Sequence, residues 1–188
     1  MSVSSIARSI LALVIAVAPM VAHAQATPAP TVVIIVRHGE KAPEPTNDPE
    51  LSLEGKNRAQ ALAAALAAAR VDVVLHTATT RTRETARPTA EQFGITPEVF
   101  ANTRAMAEAV ARHPGKTIVV VGHSNTVMPY IAALGGPTRE NLCDHNYDGL
   151  YTLVISGGTA RLVEGRYGPP NPTPTVACGG MQPPAPRP

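Results

Sequence analysis

Val32-Val33-Ile34-Ile35-Val36-Arg37-His38-Gly39-Glu40-Lys41 decides how this chain is read. Five β-branched aliphatic residues follow one another with no polar alternation, which suits a strand covered on both faces, as at the centre of a parallel sheet. The run then breaks directly into an arginine, a histidine and a glycine. In open α/β sheets ligands bind at the carboxyl ends of the strands, so this polar cluster stands where chemistry is expected.

Two further apolar runs end in the same way. Val71-Asp72-Val73-Val74-Leu75-His76 opens into Thr77-Ala78-Thr79-Thr80-Arg81, and Thr117-Ile118-Val119-Val120-Val121 ends in Gly122-His123-Ser124-Asn125-Thr126. Helical patterns separate them. Ser52 is an N-cap with Glu54 in the first turn, and Leu62 and Leu66 face the sheet from an alanine-rich helix through residue 69. A second helix starts near Thr80 and is expected to weaken, end or kink near Pro88, with 89–93 resuming it. A weak strand over 96–100, a helix over 103–112 and a helix from about 125 to 134 follow. Strands over 150–155 and 159–164, joined by Ser156-Gly157-Gly158, read as a closing hairpin. Strands alternating with helices predict an α/β layer fold with a largely parallel sheet. Arg37-His38-Gly39, Thr80-Arg81 and Gly122-His123 then share one sheet edge although they are far apart in sequence.

The chain ends read differently. Arg8, an apolar run over 10–21 too short to span a bilayer, and Ala22-His23-Ala24 together read as a signal peptide over 1–24, with an uncleaved anchor as the alternative. The expected protein is therefore exported, periplasmic or secreted, with no stable membrane insertion after cleavage. Residues 25–31 form a Pro-rich lead-in, 32–167 one domain, and 168–188 a Pro/Gly-rich tail. With 16 Lys+Arg against 14 Asp+Glu and 3% aromatic residues, neither a basic patch nor base-stacking side chains argue for nucleic acid. In an exported chain the two cysteines, Cys143 and Cys178, are most simply a disulfide between the tail and the loop before the hairpin; two free thiols or a metal pair are the rivals.

Two imidazoles and two guanidiniums make a poor metal site, because arginine stays cationic. They suit a doubly charged phosphoryl group. Arg37 and Arg81 can clamp its oxygens, neutral His38 can attack phosphorus, and His123 can donate to oxygens that gain charge in the transition state. Gly39 lets the backbone approach the anion. A rival motif is Gly122-His123-Ser124-Asn125-Thr126, which partly matches a serine-hydrolase elbow with Ser124 as nucleophile, but Thr126 stands where that elbow has glycine. A non-catalytic module that keeps the anion pocket is the other alternative.

The ordered set Val36-Arg37-His38-Gly39-Glu40-Lys41, Leu51-Ser52-x-x-Gly55-x-x-Arg58-Ala59, Thr80-Arg81-Thr82-x-x-Thr85-Ala86 and Val121-Gly122-His123-Ser124-Asn125-Thr126 resembles the histidine phosphatase superfamily, also called phosphoglycerate mutase-like. The resemblance implies a three-layer α/β/α sandwich. It also implies that His38 is transiently phosphorylated, that Arg37, Arg81 and His123 complete the phosphate pocket, and that no metal or organic cofactor is needed. Ser124 and Asn125 look like pocket-edge residues at a helix N-terminus, and Lys41 like a substrate-side contact. No aligned motif supplies the acid for the leaving oxygen; Glu40, Glu98 and Glu108 are candidates. Export and short connections favour a phosphatase over a mutase. The expected substrate is a phosphorylated small molecule, an envelope component or a phosphohistidine protein.

Overall fold

The computed structural model describes residues 29–171. The signal-peptide reading, most of the lead-in, most of the tail and Cys178 lie outside them. Ten elements follow in chain order: β1 (Thr31–Arg37), α1 (Leu53–Ala65), β2 (Val73–His76), α2 (Thr80–Phe93), β3 (Glu98–Val99), α3 (Thr103–Ala111), β4 (Thr117–Gly122), α4 (Val127–Ala133), β5 (Gly149–Ser156) and β6 (Thr159–Arg166). One mixed sheet has the order β3-β2-β4-β1-β5-β6. β1 pairs in parallel with β4, β4 with β2, and β2 with β3, whereas β5 lies antiparallel to β1 and β6 to β5. Among the described residues no helix is long and apolar enough to cross a membrane.

The unbroken apolar runs are explained by two cores. Val33, Ile35, Leu75, Ile118 and Val120 meet Met106, Val110, Tyr130 and Ile131 of α3 and α4 on one face. Ile34, Val36, Val74, Val119 and Val121 meet Leu62, Leu66, Ala86 and Ala90 on the other. Successive residues of a strand point to opposite faces, so a strand covered on both must be apolar at every position. This is the expected three-layer sandwich. Burial of each such side chain contributes about 1.5–3 kcal/mol. In the hairpin, Ser156 pairs with Thr159, and the loop is Gly157-Gly158 alone. Both glycines have positive φ, at 56° and 77°, which matches the twist of the flanking strands.

Three helices depart from expectation. α1 ends at Ala65 with Leu66 as its C-cap, short of the expected residue 69. α2 runs unbroken through Pro88. An interior proline costs about 3 kcal/mol through a lost hydrogen bond and a clash. Here the turn around it is buried at Thr85, Ala86, Thr89 and Ala90, and Gln92 donates to the Ala63 carbonyl of α1, so packing carries the helix past the break. α4 begins at Val127 rather than near Asn125, because Thr126 turns back: its hydroxyl accepts from the His123 N–H at 2.9 Å, and its own N–H donates to the His123 carbonyl.

Candidate active site

Strand register brings the histidines together. Arg37 is opposite Gly122 in the β1–β4 pair, and the His38 N–H donates to the Gly122 carbonyl at 2.9 Å. The next residue of each strand is a histidine, and their ring centroids lie 5.3 Å apart at 65°. β2 ends one step back, with His76 opposite Val121. Thr77 therefore reaches His123, and its hydroxyl is hydrogen-bonded to Nε2 at 2.9 Å. Thr82 anchors this threonine cluster by donating to the Thr77 carbonyl at 2.8 Å.

His38 is 3% exposed, and its Nδ1 lies 2.7 Å from the Gly39 carbonyl. A carbonyl only accepts, so Nδ1 carries the proton and Nε2 keeps its lone pair. That is the tautomer a nucleophile needs. Burial, with the positive charge of Arg37 and Arg81 and the neighbouring His123, pulls the His38 pKa down to about 3. Burial and the same two arginines bring His123 to about 4. Both rings are neutral at neutral pH.

A pH dependence follows. By NMR the rings of His38 and His123 are expected not to titrate between about pH 5 and 8, whereas an unperturbed imidazole titrates near 6.5. Because the unfolded chain takes up these protons first, the folded state loses stability as pH falls from about 6.5 toward the folded values. Either ring titrating near 6.5 would contradict this.

Arg37, also 3% exposed, is held by the loop before β5. Its Nη1 donates to the carbonyls of Cys143 and Asp144, each at 2.9 Å, and of Asn146 at 3.3 Å. The guanidinium lies 4.0 Å from the ring centre of Tyr147, which also meets the edge of His38 at 6.2 Å. Arg81 projects from the first turn of α2, where Asp48 accepts from Thr80 N–H at 2.9 Å and from Arg81 Nη1 at 3.3 Å. The Nε atoms of both Arg37 and Arg81 are buried and have no hydrogen-bond partner. A buried cationic donor left unmet costs at least about 1–3 kcal/mol, so the pocket is built for an oxyanion.

Gly39 has a role other than turning. A Cβ there would stand 2.7 Å from the Gly55 carbonyl oxygen, and one on Gly55 would collide with Glu40 backbone. The segment after β1 thus rests directly on the first turn of α1. The Gly39 N–H donates to Thr85 Oγ1 at 2.9 Å, which in turn donates to the Arg81 carbonyl, joining His38 to the helix that carries Arg81. Lys41 lies beyond, on a loop bridged to Leu51, and with Glu44, Thr46, Asn47, Pro49 and Arg81 it lines a polar cavity of about 300 Å³.

Ser124 donates to Asp144 Oδ1 at 3.3 Å and has no imidazole partner among the described residues, so none of them serves as base to a serine nucleophile. Asn125 is exposed in the turn before α4; neither residue stands at the helix N-terminus. The three acid candidates are engaged elsewhere. Glu40 accepts a fork from Arg58, with Nε at 2.9 and 3.0 Å and Nη2 at 2.6 Å. Glu98 meets Arg112 and His113, and Glu108 meets Arg104 on the surface of α3. The carboxylates beside the site cations are Asp48 and the 96% exposed Asp144. The Thr80 N–H holds Asp48 below the usual carboxylate range, which makes it a poor proton donor. Sequence reasoning missed Asp48, Thr77, Thr85 and Tyr147; of these only Thr85 carried a signal, its place in a motif. Among the described residues no group of three or more His, Cys, Asp or Glu is placed to hold a metal ion.

The family model for the histidine phosphatase superfamily (branch 1) matches residues 33–104, the span from β1 to the start of α3. Over that span the chain is similar to this superfamily. A protein from Agrobacterium tumefaciens described as a phosphohistidine phosphatase SixA superposes with a TM-score of 0.55 at 23% identity, over 75% of this chain and 99% of that one. A protein histidine phosphatase SixA complexed with tungstate gives 0.60 at 16%, over 72% and 96%. A mycobacterial glucosyl-3-phosphoglycerate phosphatase complexed with VO3 gives 0.57 at 17%, over 72% and 98%. These histidine phosphatase structures share the fold at low identity. No curated protein matches the sequence.

Proposed function

We propose that the chain is an exported phosphomonoester hydrolase that forms a phosphohistidine on His38. The observation that carries this reading is the pair of unpartnered, buried guanidinium nitrogens beside a neutral histidine whose Nδ1 is already pinned. Arg37 and Arg81 hold the phosphoryl oxygens, and Nε2 of His38 attacks phosphorus. The P–N bond forms as the bond to the leaving group breaks, and His123 donates to the oxygens that gain charge. Water then attacks the phosphohistidine, releasing inorganic phosphate and restoring His38. The two guanidiniums supply the positive charge, so these steps need no metal or organic cofactor.

Leaving-group chemistry narrows the substrate. With Glu40 bound to Arg58 and Asp48 held as an anion, proton donation to an alkoxide is weak. A phosphorylated imidazole demands less acid help, which favours a phosphohistidine protein over a simple alkyl phosphate. The SixA proteins of the same fold, one described as a phosphohistidine phosphatase and one as a protein histidine phosphatase, support the same choice. The polar cavity with Lys41, Glu44 and Asn47 suits the hydrophilic body of such a partner or of an envelope component. The signal-peptide reading of 1–24 places this activity outside the cytoplasm. A Cys143–Cys178 disulfide would tether the tail to the loop whose carbonyls hold Arg37.

The test is radiolabelled phosphomonoester mixed with the full chain and quenched. The expected product is an acid-labile, base-stable phosphoenzyme, absent from His38→Ala. Phosphate binding without label or turnover would instead make the chain a non-catalytic module.

A further inference from the structure

A third imidazole ends a strand away from the phosphoryl pocket. His76 closes β2, is 5% exposed, and holds its Nδ1 2.7 Å from the Thr77 carbonyl, the posture His38 takes toward Gly39. Nδ1 therefore carries the proton and Nε2 is a lone-pair acceptor. No described residue hydrogen-bonds to Nε2. Burial, reinforced by the charge of Arg83, lowers the pKa of the ring and keeps it neutral.

His76 lines a cavity of about 490 Å³ between α2 and the segment leading into β3. Arg83 and Arg87 stand on its wall, four residues apart and so on one helix face. Glu91 is the one carboxylate lining it, 3.8 Å from Arg87, and Ile95 and Pro97 add apolar surface. Among the described residues, the Arg83 guanidinium donates only to Thr80 Oγ1, at 3.2 Å. Both guanidiniums thus keep most of their five N–H donors for a ligand. None of Arg37, His38, Arg81 and His123 lines this cavity.

We propose that it is a second ligand site, taking an organic anion that bears a hydroxyl: the oxyanion on Arg83 and Arg87, the O–H donated to His76 Nε2, the carbon body on Ile95 and Pro97. The donor pattern selects this class. A bare anion would meet the lone pair of Nε2, and an apolar ligand would leave the guanidiniums without a counter-charge.

Mandelate, a phenyl-bearing α-hydroxy carboxylate, is the probe, titrated into the full chain and followed by NMR of imidazole and guanidinium nitrogens. Saturable shifts are expected at His76, Arg83 and Arg87. Binding should weaken about fivefold or more with phenylacetate, which lacks the hydroxyl, and with 1-phenylethanol, which lacks the carboxylate. The Arg83→Ala/Arg87→Ala variant, changed at two exposed positions, should bind mandelate about tenfold more weakly and hydrolyse phosphomonoesters within about twofold of wild type. The proposal is overturned by shifts confined to His38, His123 and Arg81, by unchanged affinity in the double variant, by equal affinity for phenylacetate, or by no shift at about 50 mM mandelate.

Discussion

Replacement of His38 by alanine is expected to lower kcat/KM for phosphomonoester hydrolysis by about a thousandfold or more, with KM changed far less than kcat. The asymmetry follows from the geometry. Binding rests on Arg37 and Arg81, both of which remain, and the loop that holds Arg37 makes no hydrogen bond to the His38 ring. What disappears is the one uncommitted nitrogen lone pair buried against those arginines. The His123→Ala variant should lose less, about a hundredfold, because it removes a donor to developing charge rather than the nucleophile. Steady-state kinetics on both variants decides the matter; a His38→Ala enzyme as fast as wild type would end the phosphohistidine mechanism.

Arg58→Ala is expected to cost about 3–5 kcal/mol of folding stability. Arg58 is 1% exposed, and its guanidinium grips both oxygens of Glu40 and donates to the carbonyls of Tyr167 and Pro169 at 3.3 and 2.9 Å. Truncation leaves the largely buried Glu40 carboxylate and two backbone carbonyls without their donor, and the penalty is their desolvation rather than the worth of one ion pair. Lys56→Ala on the same helix removes only an exposed pair with Glu50 and should change stability by less than about 0.5 kcal/mol. Urea unfolding of the two variants separates the cases. An Arg58→Ala loss as small as that of Lys56→Ala would mean that Glu40 finds water when the arginine goes.

Arg58 also shows where legibility stopped. It stands in the motif over 51–59, which names no partner for it. Its contacts span 18 residues to Glu40 and 111 to Pro169, a distance no local pattern encodes. Tyr147 is hidden for the same reason, since only the return of the chain after α4 lays its ring on Arg37. The acid candidates show the converse. Glu40 and Glu98 are claimed by arginines 18 and 14 residues away that only packing brings near, whereas Glu108 pairs with Arg104 one turn before it on α3. Pro88 and the start of α4 misled because burial and a threonine turn outweighed local propensity.

By itself the sequence determined the layered α/β fold and the convergence of the catalytic candidates. A strand covered on both faces must be apolar at every position, and that run, with the polar residues at its end, is written locally. Parallel register then follows closely enough that Arg37 meets Gly122 and the two histidines emerge side by side. Tertiary structure alone decided the protonation of those rings, the orientation that leaves Nε2 of His38 free, and the guanidinium Nε atoms that have no partner among the described residues. Those properties come from burial and from charges brought together across the whole chain, and both are created only when distant segments pack.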